Sequence, residues 1–149
     1  TGVQTVCSSD LEQQPEVLSY LKYEGPQNYD IQLEVGMSSN TSDELIISTS
    51  NFKYMYWNMI QQLAHHTVNG CNVNVGDVMA SGTISGKNTS SYGSLLEITW
   101  GGKKPFEMKD GSMRTFLEDN DTVTMRGFAQ KDEIRVGFGQ VSGTILPSK

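Results

Sequence analysis

The chain has 149 residues, of which 36% are hydrophobic and 19% charged, with 15 glycines and a net charge of −6. That profile fits one turn-rich domain with a core of its own and favours strands over helices. The acidic balance argues against nucleic-acid and anionic-membrane partners, which need a basic surface. No stretch approaches the ~18 apolar residues of a membrane span, and TGVQTVCSSDLEQQPEV carries neither a basic nor an apolar signal region.

Residues 1–28 read as an irregular N-terminal approach, polar and broken by Pro15, Gly25 and Pro26, with room for a turn of helix over 16–21. The domain proper is placed at 29–149. Ile31, Leu33 and Val35 alternate with Gln32, Glu34 and Gly36, the period of a half-buried strand, and 45–48 reads as its return strand across a hairpin loop. Phe52, Met55, Tyr56, Met59, Ile60 and Leu63 then form an apolar stripe at helical spacing. Ser50 or Asn51 can cap that helix, and Asn69-Gly70 can stop it. Tyr54, Tyr56 and Trp57 read as core or subunit contacts.

Beyond Gly70 the pattern returns to strands at 77–85, 94–100, 104–109, 114–117, 122–129 and 134–141, separated by turn-forming residues. Asp110-Gly111 is the cleanest hairpin signal. Cys7 and Cys71 fit neither a metal spacing nor a dense disulfide framework and read as free thiols. Asn40-Thr41-Ser42 and Asn88-Thr89-Ser90 match the glycosylation pattern, which matters only after secretion and is discounted here. The expected fold class is mainly β with one short α-helix.

Three places carry possible chemistry. Alternation in 94–100 puts Glu97 in an otherwise apolar strand, where a covered carboxylate needs a partner; the alternative is a solvent-facing Glu on a one-sided sheet. Residues 80–86 (ASGTISG) gather small side chains around Thr83 and Gly82, which lets backbone and a hydroxyl approach a ligand; an ordinary strand-to-turn transition has the same composition. His65-His66 cannot easily share one ion, because helix neighbours point about 100° apart, and a structural role is the simpler reading. Glu118-Asp119-Asn120-Asp121 reads as a solvated turn.

Residues 55–86 (MYWNMIQQLAHHTVNGCNVNVGDVMASGTISG), 94–106 (SLLEITWGGKKPF) and 136–147 (VGFGQVSGTILP) together resemble the fumarylacetoacetase family of carbon–carbon hydrolases. The resemblance implies the mixed β-sandwich roll of that family's C-terminal domain, a homodimer and a cytoplasmic location. It implies hydrolysis of the diketo acid fumarylacetoacetate to fumarate and acetoacetate, the last step of tyrosine and phenylalanine catabolism. It also implies that Glu97 braces a catalytic histidine lying outside this chain, and that Thr83, flanked by Gly82, contacts the carboxylate end of the substrate. Family members hold Ca2+ or Mg2+ through acidic residues upstream of the helix seen here. Those motifs are missing from this sequence, so no metal ligand is assigned and the chain is expected to carry only part of the site. Two alternatives remain: a non-catalytic β-rich binding or dimerisation domain derived from the fold, or a related acylpyruvate hydrolase or oxaloacetate decarboxylase chemistry.

Overall fold

The computed structural model describes residues 13–25 and 28–148; expectations resting on 1–12, Cys7 included, and on Pro26 lie outside the described residues. Strands β1 (Gln32–Ser38) and β2 (Leu45–Asn51) form the antiparallel hairpin that the alternation predicts, with β2 running on to Asn51. Strands β5 (Thr122–Lys131) and β6 (Ile134–Thr144) form a second, longer hairpin through Asp132, whose φ of 53 is tolerated by a short polar side chain. β5 lies antiparallel to β1, with Met125 opposite Val35, and the sheet order is β2-β1-β5-β6. Two short strands, β3 (Phe106–Glu107) and β4 (Met113–Arg114), make a separate two-stranded sheet across the Asp110-Gly111 turn. The architecture is mainly β, as expected, with one substantial helix.

Asp110 shows why that turn is well defined. Ser112 Oγ donates to its Oδ1 at 2.6 Å, Thr41 Oγ1 to its Oδ2 at 2.7 Å, and Ser112 N to Oδ1 at 3.0 Å. These donors, the Ser112 hydroxyl first, hold the carboxyl at about 2, well below its ordinary range. The β1–β2 loop is thereby tied to the β3–β4 turn.

Five expectations need correction. The apolar stripe over 52–63 does not form one helix: a 3-10 turn at Phe52–Tyr54 is followed by a break, and helix α1 covers Met59–Thr67. Asn28 Nδ2 donates to Met55 O at 2.6 Å and Gln13 Nε2 to Tyr56 O at 2.7 Å, so side chains capture carbonyls that a continuous helix would have used itself. Asn58 then opens α1 with a capping box to Gln61, and the Asn69-Gly70 stop is observed, with Gly70 N donating to Thr67 O.

Residues 77–85 run without a strand partner. Ser50 Oγ reaches them by donating to Ile84 O at 3.0 Å, a side-chain bond that builds no ladder. Residues 94–100 are not a strand either: Ser94 caps the one-turn helix α2 (Leu95–Ile98), closed by Gly101 N to Leu96 O and Trp100 N to Glu97 O with Trp100 at φ 52. That paired bond pattern with a left-handed residue after the cap is a Schellman ending. Finally, Asp121 is not solvated. It has no exposure and accepts from Arg114 Nε at 3.1 Å and from Glu118 N at 2.9 Å. The strands expected at 104–109 and 114–117 shrink to β3 and β4 because only those residues find a partner.

Among the described residues the buried apolar side chains are Leu21, Met37 and Met108, while the buried polar ones include Gln61, Thr99, Asp121 and Thr124. Gln61 Nε2 donates to Leu21 O at 2.8 Å and to Gln13 Oε1 at 2.7 Å, fastening residues 13–21 onto α1. By contrast β6 is exposed along its whole length, with Phe138 62% and Val141 65% accessible, and Met59 and Ile60 of α1 also face outward. No helix among the described residues is long and apolar enough to cross a membrane.

Candidate functional site

Two of the bonds that hold the 81–86 loop are the Ser50 hydroxyl on Ile84 O, and Gly86 N donating to Ser91 O at 2.9 Å in the 3-10 turn Thr89–Ser91. Gly93 lies directly against it. A Cβ at Gly93 would sit 2.6 Å from both Ile84 O and Thr83 Cγ2, a distance that real Cβ atoms do not adopt. Only glycine therefore lets the chain pass this close before Ser94 starts α2. That passage sets Glu97 beside the loop.

Glu97 is exposed, yet it is not a free surface carboxylate. Its Oε2 accepts from Ser85 Oγ at 2.8 Å and from Ser94 Oγ at 2.9 Å. Ser85 Oγ in turn accepts from Gly93 N at 3.0 Å. The expected carboxylate inside an apolar strand is thus replaced by one on a helical turn, satisfied by hydroxyls and not by burial. Thr83 stands two residues from Ser85 on the same loop, and Gly82 adopts φ 76 beside it with open space around its α-carbon.

A cavity of about 500 Å³ runs along this loop, lined by Thr83 and Ser85 on one side and by Tyr54, Trp57, Gln62 and His66 on the other. Tyr56, also on its wall, meets Trp57 edge to face at 4.8 Å. Tyr54, Tyr56 and Trp57 line this cavity and are each about 40% exposed, so they are not core residues. His65 and His66 diverge as their spacing predicts: His65 Nδ1 meets Tyr20 OH at 3.0 Å with the rings stacked, while His66 faces the cavity.

Cys71 is a free, exposed thiol. No group of three or more His, Cys, Asp or Glu side chains among the described residues could hold a metal ion. Ser85, Gly93 and Ser94 are the residues sequence reasoning missed. A signal for Ser94 is present in Ser94-x-x-Glu97, the spacing of a helix N-terminus, but the alternation of 94–100 matches a strand equally well.

A β-rich domain thus sets a hydroxyl-bearing loop and a serine-held carboxylate beside an aromatic-walled depression. Residues 6–145 match the family model "Fumarylacetoacetate (FAA) hydrolase C-terminal", and the chain belongs to that family. It is 48% identical over 138 residues to the fumarylacetoacetase of Homo sapiens, covering 92% of this chain and 33% of that protein. It is 50% identical over 138 residues to the fumarylacetoacetase of Arabidopsis thaliana, covering 92% of this chain and 32% of that one. The Bos taurus fumarylacetoacetase is 48% identical over 141 residues, with 94% and 34% covered. The chain spans about a third of the length of the curated relatives it matches.

Proposed function

We propose that this chain forms part of the active site of a fumarylacetoacetase, which cleaves fumarylacetoacetate with water to fumarate and acetoacetate as the last step of tyrosine and phenylalanine catabolism. The observation that carries the reading is the meeting of the Thr83 loop with Glu97 through the Ser85 hydroxyl, beside a cavity large enough for a small diketo acid. Both residues are the ones that the family resemblance assigns to the site. The relatives named fumarylacetoacetase supply the substrate class.

In this reading Glu97 accepts a hydrogen bond from an imidazole N–H and sets the tautomer of a histidine that lies outside this chain. The other ring nitrogen takes a proton from water, and the resulting hydroxide adds to the carbonyl next to the bond to be broken. Collapse of the tetrahedral intermediate breaks the carbon–carbon bond, releases fumarate and leaves an acetoacetate carbanion that is then protonated. The Thr83 hydroxyl and the open backbone at Gly82 hold the carboxylate end of the substrate. His65 is engaged by Tyr20, and neither His65 nor His66 is assigned as the base. The resemblance brings Ca2+ or Mg2+ to the whole enzyme. The described residues do not fit such an ion, so no step is routed through one here.

The test is loss of fumarylacetoacetate absorbance with and without added Ca2+ or Mg2+, comparing the complete enzyme, upstream histidine included, with its Glu97→Gln variant. Loss of the brace is expected to lower kcat by about 10²–10⁴-fold. Equal turnover in Glu97→Gln would remove the role assigned to Glu97. The second reading, a non-catalytic binding or homodimerisation domain, is favoured by the exposed apolar side chains of β6 and α1. A complete protein that folds and sediments as a dimer but turns over no fumarylacetoacetate would select it.

A further inference from the structure

We propose that Ser85 and Ser94 are positioning residues that hold Glu97 by Oε2 alone, leaving Oε1 as the oxygen through which Glu97 acts. The inference rests on the functional reading above and adds to it which oxygen works and which residues aim it. A carboxylate only accepts hydrogen bonds, so both serine hydroxyls must donate to Oε2, and two donors fill the two lone-pair sites of that oxygen. Among the described residues Oε1 accepts no such bond.

The two serines are not ordinary neighbours of Glu97. Ser94 is the N-cap of α2: its Oγ accepts from Glu97 N at 3.3 Å while donating to the same residue's side chain. It therefore fixes Glu97 at both backbone and carboxylate. Ser85 belongs to the cavity wall, and its Oγ is itself oriented by Gly93 N at 3.0 Å. Its hydroxyl links the loop bearing Thr83 to the helix bearing Glu97, so the two candidate groups keep one relative geometry. A Glu side chain has three rotatable bonds and, on an exposed one-turn helix, would otherwise sample many rotamers. Being held at one oxygen removes that freedom while keeping the other oxygen available.

Ser85→Ala is the direct test, since it keeps the Ser94 cap and the loop backbone. Ser85→Thr restores a hydroxyl at the same place. The complete enzyme, which also supplies the histidine, is assayed for fumarylacetoacetate turnover, and the Glu97 side-chain rotamer is read from three-bond proton couplings by NMR. Ser85→Ala is expected to lower kcat by about 10–100-fold, the size of effect that misplacement by about 1 Å produces. KM should stay within about twofold, Glu97 couplings should average, and Ser85→Thr should recover most of the rate. Wild-type kcat in Ser85→Ala, where Glu97→Gln has lost it, overturns the inference and leaves the functional reading intact. Full turnover in Glu97→Gln of the complete enzyme overturns the functional reading instead. The couplings then decide the positioning role by themselves: averaging supports it, and a single retained Glu97 rotamer in Ser85→Ala refutes it.

Discussion

Asp121 offers the sharpest test of how this chain holds together. It has no solvent exposure, and Arg114, 13% exposed, donates to it from Nε at 3.1 Å and from Nη2 at 3.4 Å. Hydrogen bonding to Asp121 is the leading cause of the raised Arg114 pKa. The same carboxylate accepts from Glu118 N, and the Asp121 backbone oxygen accepts from Ile145 N at 2.9 Å, so one residue joins β4, the 118–121 turn and the exit of β6. Asp121→Asn keeps the shape but turns an NH2 group or a neutral oxygen toward the guanidinium. Breaking one side of a buried pair costs about 3–5 kcal/mol. Glu118, 3.4 Å from Arg114 Nε and 62% exposed, remains as a partly screened substitute, which places the expected loss near the lower end, about 3 kcal/mol. At roughly 2–4 °C per kcal/mol for a chain of this size, the melting temperature should fall by about 6–12 °C. Thermal unfolding followed by circular dichroism measures it, with the exposed Asp119→Asn as a control expected within about 0.5 kcal/mol of wild type. A drop of under about 2 °C in Asp121→Asn would refute the assignment of a structural ion pair.

Gly93→Ala should destabilise by about 1–3 kcal/mol through overpacking against Thr83 and Ile84. Its amide shifts should concentrate at 83–86 and 93–97; an unperturbed Thr83–Ile84 would contradict the close passage. Asp110 has a folded pKa near 2 against an ordinary 3.8. A depressed carboxyl contributes stability that is complete above its unfolded value and disappears as pH falls through the folded one. The stability difference between wild type and Asp110→Asn should therefore hold above about pH 4 and shrink between pH 4 and 2, and urea midpoints at pH 5, 3 and 2 that keep a constant difference would rule this out.

What could be read from sequence was local. Period-two alternation at Ile31, Leu33 and Val35 marks β1, the runs before and after Asp132 mark β5 and β6, and Asp110-Gly111 marks the small hairpin, because side-chain alternation and turn conformation depend on near neighbours. The family resemblance also points to Thr83 and Glu97. Tertiary structure decided the rest. The stripe over 52–63 breaks because Asn28 and Gln13, distant in sequence, claim its carbonyls. Residues 77–85 stay unpaired because a strand exists only where another backbone edge meets it. The run 95–98 is too short for its alternation to separate one helical turn from a strand, and the Ser94 cap with the Trp100–Gly101 ending settles it. Asp121 is buried because Arg114 folds back onto it. The hold of Ser85 on Glu97 crosses from a loop to a helix, and no local rule of spacing contains a contact made only when Gly93 brings the two together.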